Sequence, residues 1–267
     1  MGEKTRIAWT DHTFNSWWGC TKVGPGCDNC YAEAQAARYG HNIWGFGVPR
    51  RYFGNKHWDE PLKWNEQSRK AGKQTKVFCA SMADVFDNEI DQLHRERLWG
   101  LIAGTPFLTW QILTKRIGNV MSMIHRAWQD RLPENVWIIA TVCNQEEADR
   151  DIPKLVKIPA RVRGLSIEPM LGRIDLWNHI WPNDGITFPV HWIIFGGESK
   201  QRGQVRECNI DWIRQGLYQC QTAGVKAFVK QLGSKPFEMP SWLKLNDRAG
   251  ADPSEWPRDL RVQEWPA

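Results

Sequence analysis

Three cysteines, Cys20, Cys27 and Cys30, lie within eleven residues of one another, in the stretch WWGCTKVGPGCDNCYAE. No fourth cysteine is close by, since the others are Cys79, Cys143, Cys208 and Cys220. Thiols so spaced admit a few chemistries. Cys27-Asp-Asn-Cys30 alone suits a redox pair or half of a zinc site. A redox pair leaves Cys20 unexplained. A structural zinc needs four ligands, so Cys79 or His12 would have to complete it from elsewhere. Three thiolates on a cubane iron–sulfur cluster leave one iron open to bind and activate a small molecule. The loop suits that reading. Gly19, Gly24, Pro25 and Gly26 let backbone amides approach a charged cluster. The run YAEAQAARY then predicts a helix over 31–39 that opens directly after Cys30, its positive end toward an anionic group.

The elements that must position these thiols read as strands alternating with helices. Val/Ile/Phe-rich runs at Thr75–Ala80, Phe107–Leu113, Val136–Val142, Val162–Ile167, Val190–Phe195 and Val225–Val229 have the character of buried parallel strands. A further strand is expected at Ile7–Trp9. Helical spacing of apolar residues marks Glu89–Ala103, Ile117–Trp128 and Ile210–Thr222. This βα alternation predicts an α/β protein built as a single parallel (β/α) barrel, complete or partial, with six to seven strands; an open doubly wound sheet is the alternative. Chemically able residues end nearly every strand: Cys79 and Ser81, Thr114 and Lys115, Cys143 and Asn144, Ser166 and Glu168, Gly197 and Glu198, Lys230 and Gln231. Barrels carry their sites at that end. The expected organisation is a barrel over 1–246, with the cysteine loop at 19–31 and a Gly- and Trp-rich insertion at 39–64 that reads as a lid or ordered segment. Asn178–Pro189 reads as a loop. A proline-rich, weakly structured tail over 247–267 packs on the barrel or extends from it.

Composition narrows the class. The chain has 267 residues, 42% hydrophobic and 24% charged, as in a soluble globular protein. No eighteen-residue apolar run predicts a membrane span, and the N-terminus lacks the apolar core of a secretory signal. Seven cysteines, an odd number, argue against a closed disulfide framework and for a reducing, cytoplasmic setting. The formal charge of +5 permits an anionic partner. Basic pairs such as Arg50-Arg51 are dispersed and read as ordinary solvated surface. The 17 tryptophans include an early group, Trp17, Trp18, Trp44, Trp58 and Trp64, that would fill a core or stack a base.

The segments IAWTDHTFNSWWGCTKVGPGCDNCYAE, FCASMADVFD, LTKR, LSIEPMLG, IIFGGES and FVKQLG resemble the phage Gp37/Gp68 family (DUF5131), which is related to the radical S-adenosylmethionine superfamily. The resemblance covers nearly the whole chain. It implies a partial barrel and a [4Fe-4S] cluster on Cys20, Cys27 and Cys30. S-adenosyl-L-methionine would chelate the open iron, and an electron donor would supply the reducing equivalent. The chain departs from the superfamily in the six residues between Cys20 and Cys27, a longer gap than usual. It also departs in Asn29, where an aromatic residue usually precedes the third cysteine; Tyr31 follows it instead.

The implied cofactor contacts are Tyr31, Ser81, Asp84, Glu168, Gly196, Gly197 and Glu198, with Ser81 and Asp84 at the amino end and Glu168 and Glu198 toward ribose or substrate. The implied catalytic set is Cys79, Cys143, Lys115 and Glu168, with the two thiols as hydrogen-atom donors or apolar fillers. Lys115, Arg116 and Lys230 would meet a carboxylate or phosphate, or pair with Glu168 or Glu198. His12 and Asn15 would line the loop, with Asp11 holding His12. The expected substrate is an unknown small molecule, a nucleotide or a nucleic acid, with no membrane partner. Two other classes remain open. One is a non-catalytic, zinc-containing nucleic-acid-binding protein; the other is an iron–sulfur Lewis-acid enzyme that does not use S-adenosylmethionine. The sequence has no His-Glu-x-x-His helix, phosphate-binding glycine loop or early dinucleotide fingerprint.

Overall fold

The β-rich runs assemble into one seven-stranded sheet in the computed structural model, which describes residues 5–181, 189–201, 204–239 and 244–267. The strands are β1 (His12–Phe14), β2 (Thr75–Cys79), β3 (Leu108–Thr114), β4 (Val136–Thr141), β5 (Val162–Ile167), β6 (Trp192–Gly196) and β7 (Lys226–Gln231). In the sheet they lie in the order in which they occur in the chain. The pairs β1–β2, β2–β3, β5–β6 and β6–β7 are parallel. An order that never reverses has no switch point, which sets this sheet apart from a doubly wound one. With β1 and β7 at its two ends, it is the open, partial (β/α) barrel that the sequence predicts.

The helices are α1 (Tyr31–Arg38), α2 (Glu60–Ala71), α3 (Gln92–Ala103), α4 (Gln145–Leu155) and α5 (Ile210–Ala223). Among the described residues no helix is long and apolar enough to cross a membrane. The chain divides into two compact units. One comprises Met1–Val23, Tyr31–Ile139 and Ile158–Arg161; the other comprises Gly24–Cys30, Ala140–Lys157 and Val162–Ala267.

The first unit buries most of the early tryptophans. Trp17, Trp18, Trp58 and Trp64 are all buried, and Trp44 is half-buried. Of the two readings of that group, core filling or base stacking, the four buried side chains follow the first. Phe14 lies edge-on to Trp58 (5.6 Å) and Trp110 (5.8 Å), and Trp9 packs on Phe78 (4.8 Å). Each such side chain taken from water contributes roughly 1.5–3 kcal/mol. The first strand is displaced from Ile7–Trp9 to His12–Phe14. A turn closed by Thr10 N–H to Ile7 O (3.3 Å) uses the earlier residues to bury Trp9, and sheet pairing starts with Asp11 N–H to Lys76 O (3.1 Å).

Helix α3 begins at its cap, where Asp91 Oδ1 accepts from Leu93 N at 2.8 Å. The helix expected over Ile117–Trp128 is replaced by three short turns. The backbone is extended at Ile124, and His125 Nδ1 then accepts from Ala127 N, which lets Trp128 pack on Trp99 at 5.3 Å. The insertion is ordered: Arg51–Tyr52 pairs antiparallel with Trp17–Trp18, and helix begins at Asn55.

In the second unit Asn144 caps α4 through Glu147 N (2.9 Å), and Asn209 caps α5 through Asp211 N (2.8 Å). A Cβ on Gly216 of α5 would stand 2.4 Å from the ring of Phe195 on β6, so that glycine is what lets helix and sheet approach. Residues 182–188 of the expected loop lie outside the described residues; its first part is a helical turn, Trp177–Ile180. The tail is better ordered than its proline content suggests. Trp256 and Leu260 are buried, and Val229 N–H to Val262 O (2.8 Å) and Glu264 N–H to Ala227 O (2.9 Å) fasten it along β7.

Candidate functional site

Around Cys20 the first unit builds a buried ionic network. Arg116, just past β3, donates from Nη1 to Cys20 Sγ (3.4 Å) and from Nη2 to Thr21 O (2.5 Å). Asp84 holds that guanidinium through Nη1 (3.2 Å), and Asp87 through Nη2 (3.5 Å). Asp87 also pairs with Arg50 Nη2 at 2.9 Å, where both side chains are only 1% exposed. Arg50 reaches Thr21 Oγ1 (2.7 Å) and the carbonyls of Gly45 and Val48. Arg95, also buried, donates to Val85 O and Asp87 O. Of these charged groups, Arg116, Asp84 and Asp87 act on the Cys20 sulfur, one positive charge against two negative. The burial of Arg50 corrects its reading as solvated surface; its neighbour Arg51 is half-buried over Trp18 and Phe53.

The electrostatics follow from that arrangement. Burial, then Asp84, push the Cys20 thiol up to about 12, with Asp87 adding to the rise and Arg116 opposing it. Burial opposes the charge on Arg116, but Asp84, Cys20 and Asp87 together hold it charged above its ordinary range. Asp84 has both oxygens engaged, by Thr114 Oγ1 (2.8 and 3.0 Å), Lys115 N (3.0 Å), Phe86 N (2.9 Å) and Arg116. Its visible role is to anchor Arg116 and the end of β3.

Ser81 lies just beyond β2, where Asn15 Nδ2 donates to its Oγ (3.0 Å) and Asn15 Oδ1 accepts from Met82 N (2.6 Å). Tyr31 Oη donates to Ser81 O at 2.5 Å. Gly19 N–H to Met82 O (3.1 Å) docks the start of the cysteine loop on the same segment. Asp11 accepts from Lys76 N (2.8 Å) and pairs with Lys76 Nζ (3.7 Å), while the His12 ring stacks on Trp64 (4.4 Å).

The second unit clamps the stretch that carries Cys27 and Cys30. Glu198, at the end of β6, accepts from Asn29 Nδ2 (2.8 Å), Arg206 N (3.0 Å) and Arg206 Nε (3.2 Å), and forms a short ion pair with Arg206 Nη2. Arg206 Nη1 continues to Pro25 O (2.8 Å) and Asp28 Oδ2 (3.1 Å). Burial opposes ionisation of Glu198, but Arg206 and Asn29 outweigh it and hold the carboxyl below its ordinary range. Asn29 stands where the superfamily usually has an aromatic residue, and here it ties the loop to Glu198 and to Gln204 O. Gly24 lies against Glu147, whose Oε1 would sit 2.7 Å from a Cβ there. The other oxygen of Glu147 accepts from Cys143 N (2.8 Å).

At the ends of β5 and β7, Glu168 Oε1 pairs with Lys230 Nζ at 2.5 Å, the ion pair weighed from sequence. Gly196 lets Glu168 cross it, since a Cβ would come within 3.2 Å of Glu168 Cγ. Gly197 and Gly233 interlock: a Cβ on Gly197 would meet Leu232 O at 2.3 Å. Cys79 and Cys143 are both fully buried, and burial pushes the Cys79 thiol up.

None of the seven cysteines is in a disulfide. Among the described residues no three or more His, Cys, Asp or Glu side chains stand together as a metal site. Cys20 belongs to the first unit, and Cys27 and Cys30 to the second. The donor chemistry nonetheless fits a thiolate-bound group: three thiols lie on one loop, and the Cys20 sulfur accepts an N–H from a buried guanidinium. Sequence reasoning missed Arg50, Asp87, Arg95, Glu147 and Arg206. Asp87 sits in the motif FCASMADVFD and was within reach, whereas nothing local marks Arg206.

A family model described as DUF5131, protein of unknown function, matches residues 4–256. No curated protein matches the chain. Among solved structures the chain is similar to a double mutant of spore photoproduct lyase with bound AdoMet and dinucleoside spore photoproduct. The identity is 11% and the TM-score 0.44, over 69% of this chain and 50% of that one, so the chain spans half of that protein's length.

Proposed function

We propose, from the premise that the chain belongs to the DUF5131 family, that it is an iron–sulfur enzyme using S-adenosylmethionine for radical chemistry on a nucleotide or nucleic acid. The observation that carries this reading is the setting of Cys20. Its sulfur accepts an N–H from the Arg116 guanidinium, which Asp84 and Asp87 hold in place. A guanidinium N–H held on a sulfur is a contact that a metal-bound thiolate strengthens. Cys20, Cys27 and Cys30 would hold a [4Fe-4S] cluster, which together with bound S-adenosylmethionine would supply the radical chemistry.

The chain's own residues have separate roles in this reading. Tyr31 and Ser81 shape the cofactor pocket, and their mutual hydrogen bond sets the Tyr31 ring. Asp84 and Glu198 act through the arginines they hold, because their oxygens are already engaged. Gly196 and Gly197 keep the backbone low enough for Glu168 and Leu232 to pass. Lys230 pairs with Glu168 at the strand ends and orients it toward ribose or substrate; Lys115 is the proposed contact to an anionic group. Cys79 and Cys143 are the proposed hydrogen-atom donors. Donation requires the neutral thiol, the form that burial favours at Cys79. The substrate class rests on the basic excess of +5, since the early tryptophans are buried.

The test is anaerobic purification with iron and sulfide analysis, followed by electron paramagnetic resonance of the reduced protein with and without S-adenosylmethionine. The expected result is about four irons per chain and a spectrum altered by the cofactor. A cluster indifferent to the cofactor would favour Lewis-acid chemistry at the open iron. Zinc in a colourless, properly reconstituted protein would make the thiols structural and overturn the proposal.

A further inference from the structure

Resting on the reading of Cys20 as a cluster ligand, we infer that Arg116 is a positioning residue that sets how readily the cluster is reduced. Three observations converge on it. Its Nη1 donates to the Cys20 sulfur at 3.4 Å, while Nη2 grips the carbonyl of the next residue, Thr21, at 2.5 Å. The guanidinium cannot swing away, because Asp84 and Asp87 hold its two ends at 3.2 and 3.5 Å and its side chain is only 8% exposed. Asp87, which holds Nη2, is itself fixed by its pair with buried Arg50 at 2.9 Å.

An N–H donor and a fixed positive charge on a ligating sulfur withdraw electron density from it. They stabilise the more negative, reduced state of the iron it binds. Arg116 therefore acts through Cys20 and touches no substrate. The planar fork also matters. A lysine would keep the charge but could not serve the sulfur, the Thr21 carbonyl and two carboxylates together.

The experiment compares the reconstituted wild type with Arg116→Gln, Arg116→Lys and Arg50→Lys. Each is purified anaerobically, analysed for iron and sulfide, and titrated with dithionite under electron paramagnetic resonance. Arg116→Gln is expected to keep its iron but to be harder to reduce, by roughly tenfold in the reduction equilibrium, read as about 59 mV to more negative potential. Arg116→Lys should recover part of that shift. Arg50→Lys perturbs the same network without touching the sulfur, so it should melt lower yet keep the wild-type potential. Circular dichroism separates misfolding from tuning. If Arg116→Gln fails to fold, the comparison of Arg116→Lys with Arg50→Lys decides. Equal potentials for wild type and the folded Arg116 variants would overturn the inference while leaving the cluster in place. A wild type with no iron would instead sink the reading on which the inference rests.

Discussion

Replacing Arg206 with alanine tests whether the second unit holds the stretch bearing Cys27 and Cys30. The change removes the guanidinium donors to Glu198, together with the bonds to Pro25 O and Asp28. Stripping the partner from a buried ion pair costs about 3–5 kcal/mol. Here the cost is smaller. The Arg206 side chain is 29% exposed, and Glu198 keeps the Asn29 amide and the backbone N–H of residue 206. A loss of about 2–3 kcal/mol is expected, or about 4–12 °C in melting temperature for a chain of this size. Thermal melting followed by circular dichroism at neutral pH measures it. The pH dependence carries a second signature. Glu198 ionises below its ordinary value of 4.5 in the folded chain. Its stabilisation is therefore fully present above that value and is lost as pH falls through the lowered one. The gap between wild type and Arg206→Ala should then narrow at acid pH. In iron-loaded protein the variant should also release iron to a chelator faster. Equal melting temperatures across pH, with equal release rates, would show that the clamp does not hold the loop.

Three further changes probe other contacts. Asp87→Asn leaves Arg50 buried without its carboxylate and should cost about 3–5 kcal/mol, read as a fall in melting temperature. Gly216→Ala puts a methyl group 2.4 Å from the Phe195 ring. The resulting overpacking of about 1–3 kcal/mol should offset the helical gain of about 1 kcal/mol and give no net stabilisation in the same assay. Serine at Cys20, Cys27 or Cys30 should each abolish iron retention in anaerobic metal analysis. Serine at Cys220, buried away from that loop in sequence, should leave it intact.

The strands were legible because alternation of apolar runs with helical periods is a local property, and six of the seven fell within a residue or two of their runs. The first strand was not, because Ile7–Trp9 is as apolar as a strand yet closes a turn that buries Trp9. The broken segment at Ile117–Trp128 misled for a related reason. Helical spacing places apolar residues on one face, but it does not reveal that an extended Ile124 lets Trp128 reach Trp99. The early tryptophans had the same type whether exposed or enclosed, and only packing made Trp17 and Trp64 part of the core.

The sequence by itself determined the three-thiol stretch, the βα alternation and the family, because each is written in residues close together along the chain. Tertiary structure alone decided which charges surround those thiols. Arg50 meets Asp87 across 37 residues, and Arg116 meets Cys20 across 96. Glu198 finds its partner only eight residues away, but Arg206 then continues to Pro25, 181 residues distant. An ion pair can be buried only where desolvation is offset by a partner in the right place. That place is created by the fold, so no spacing rule along the chain could announce it.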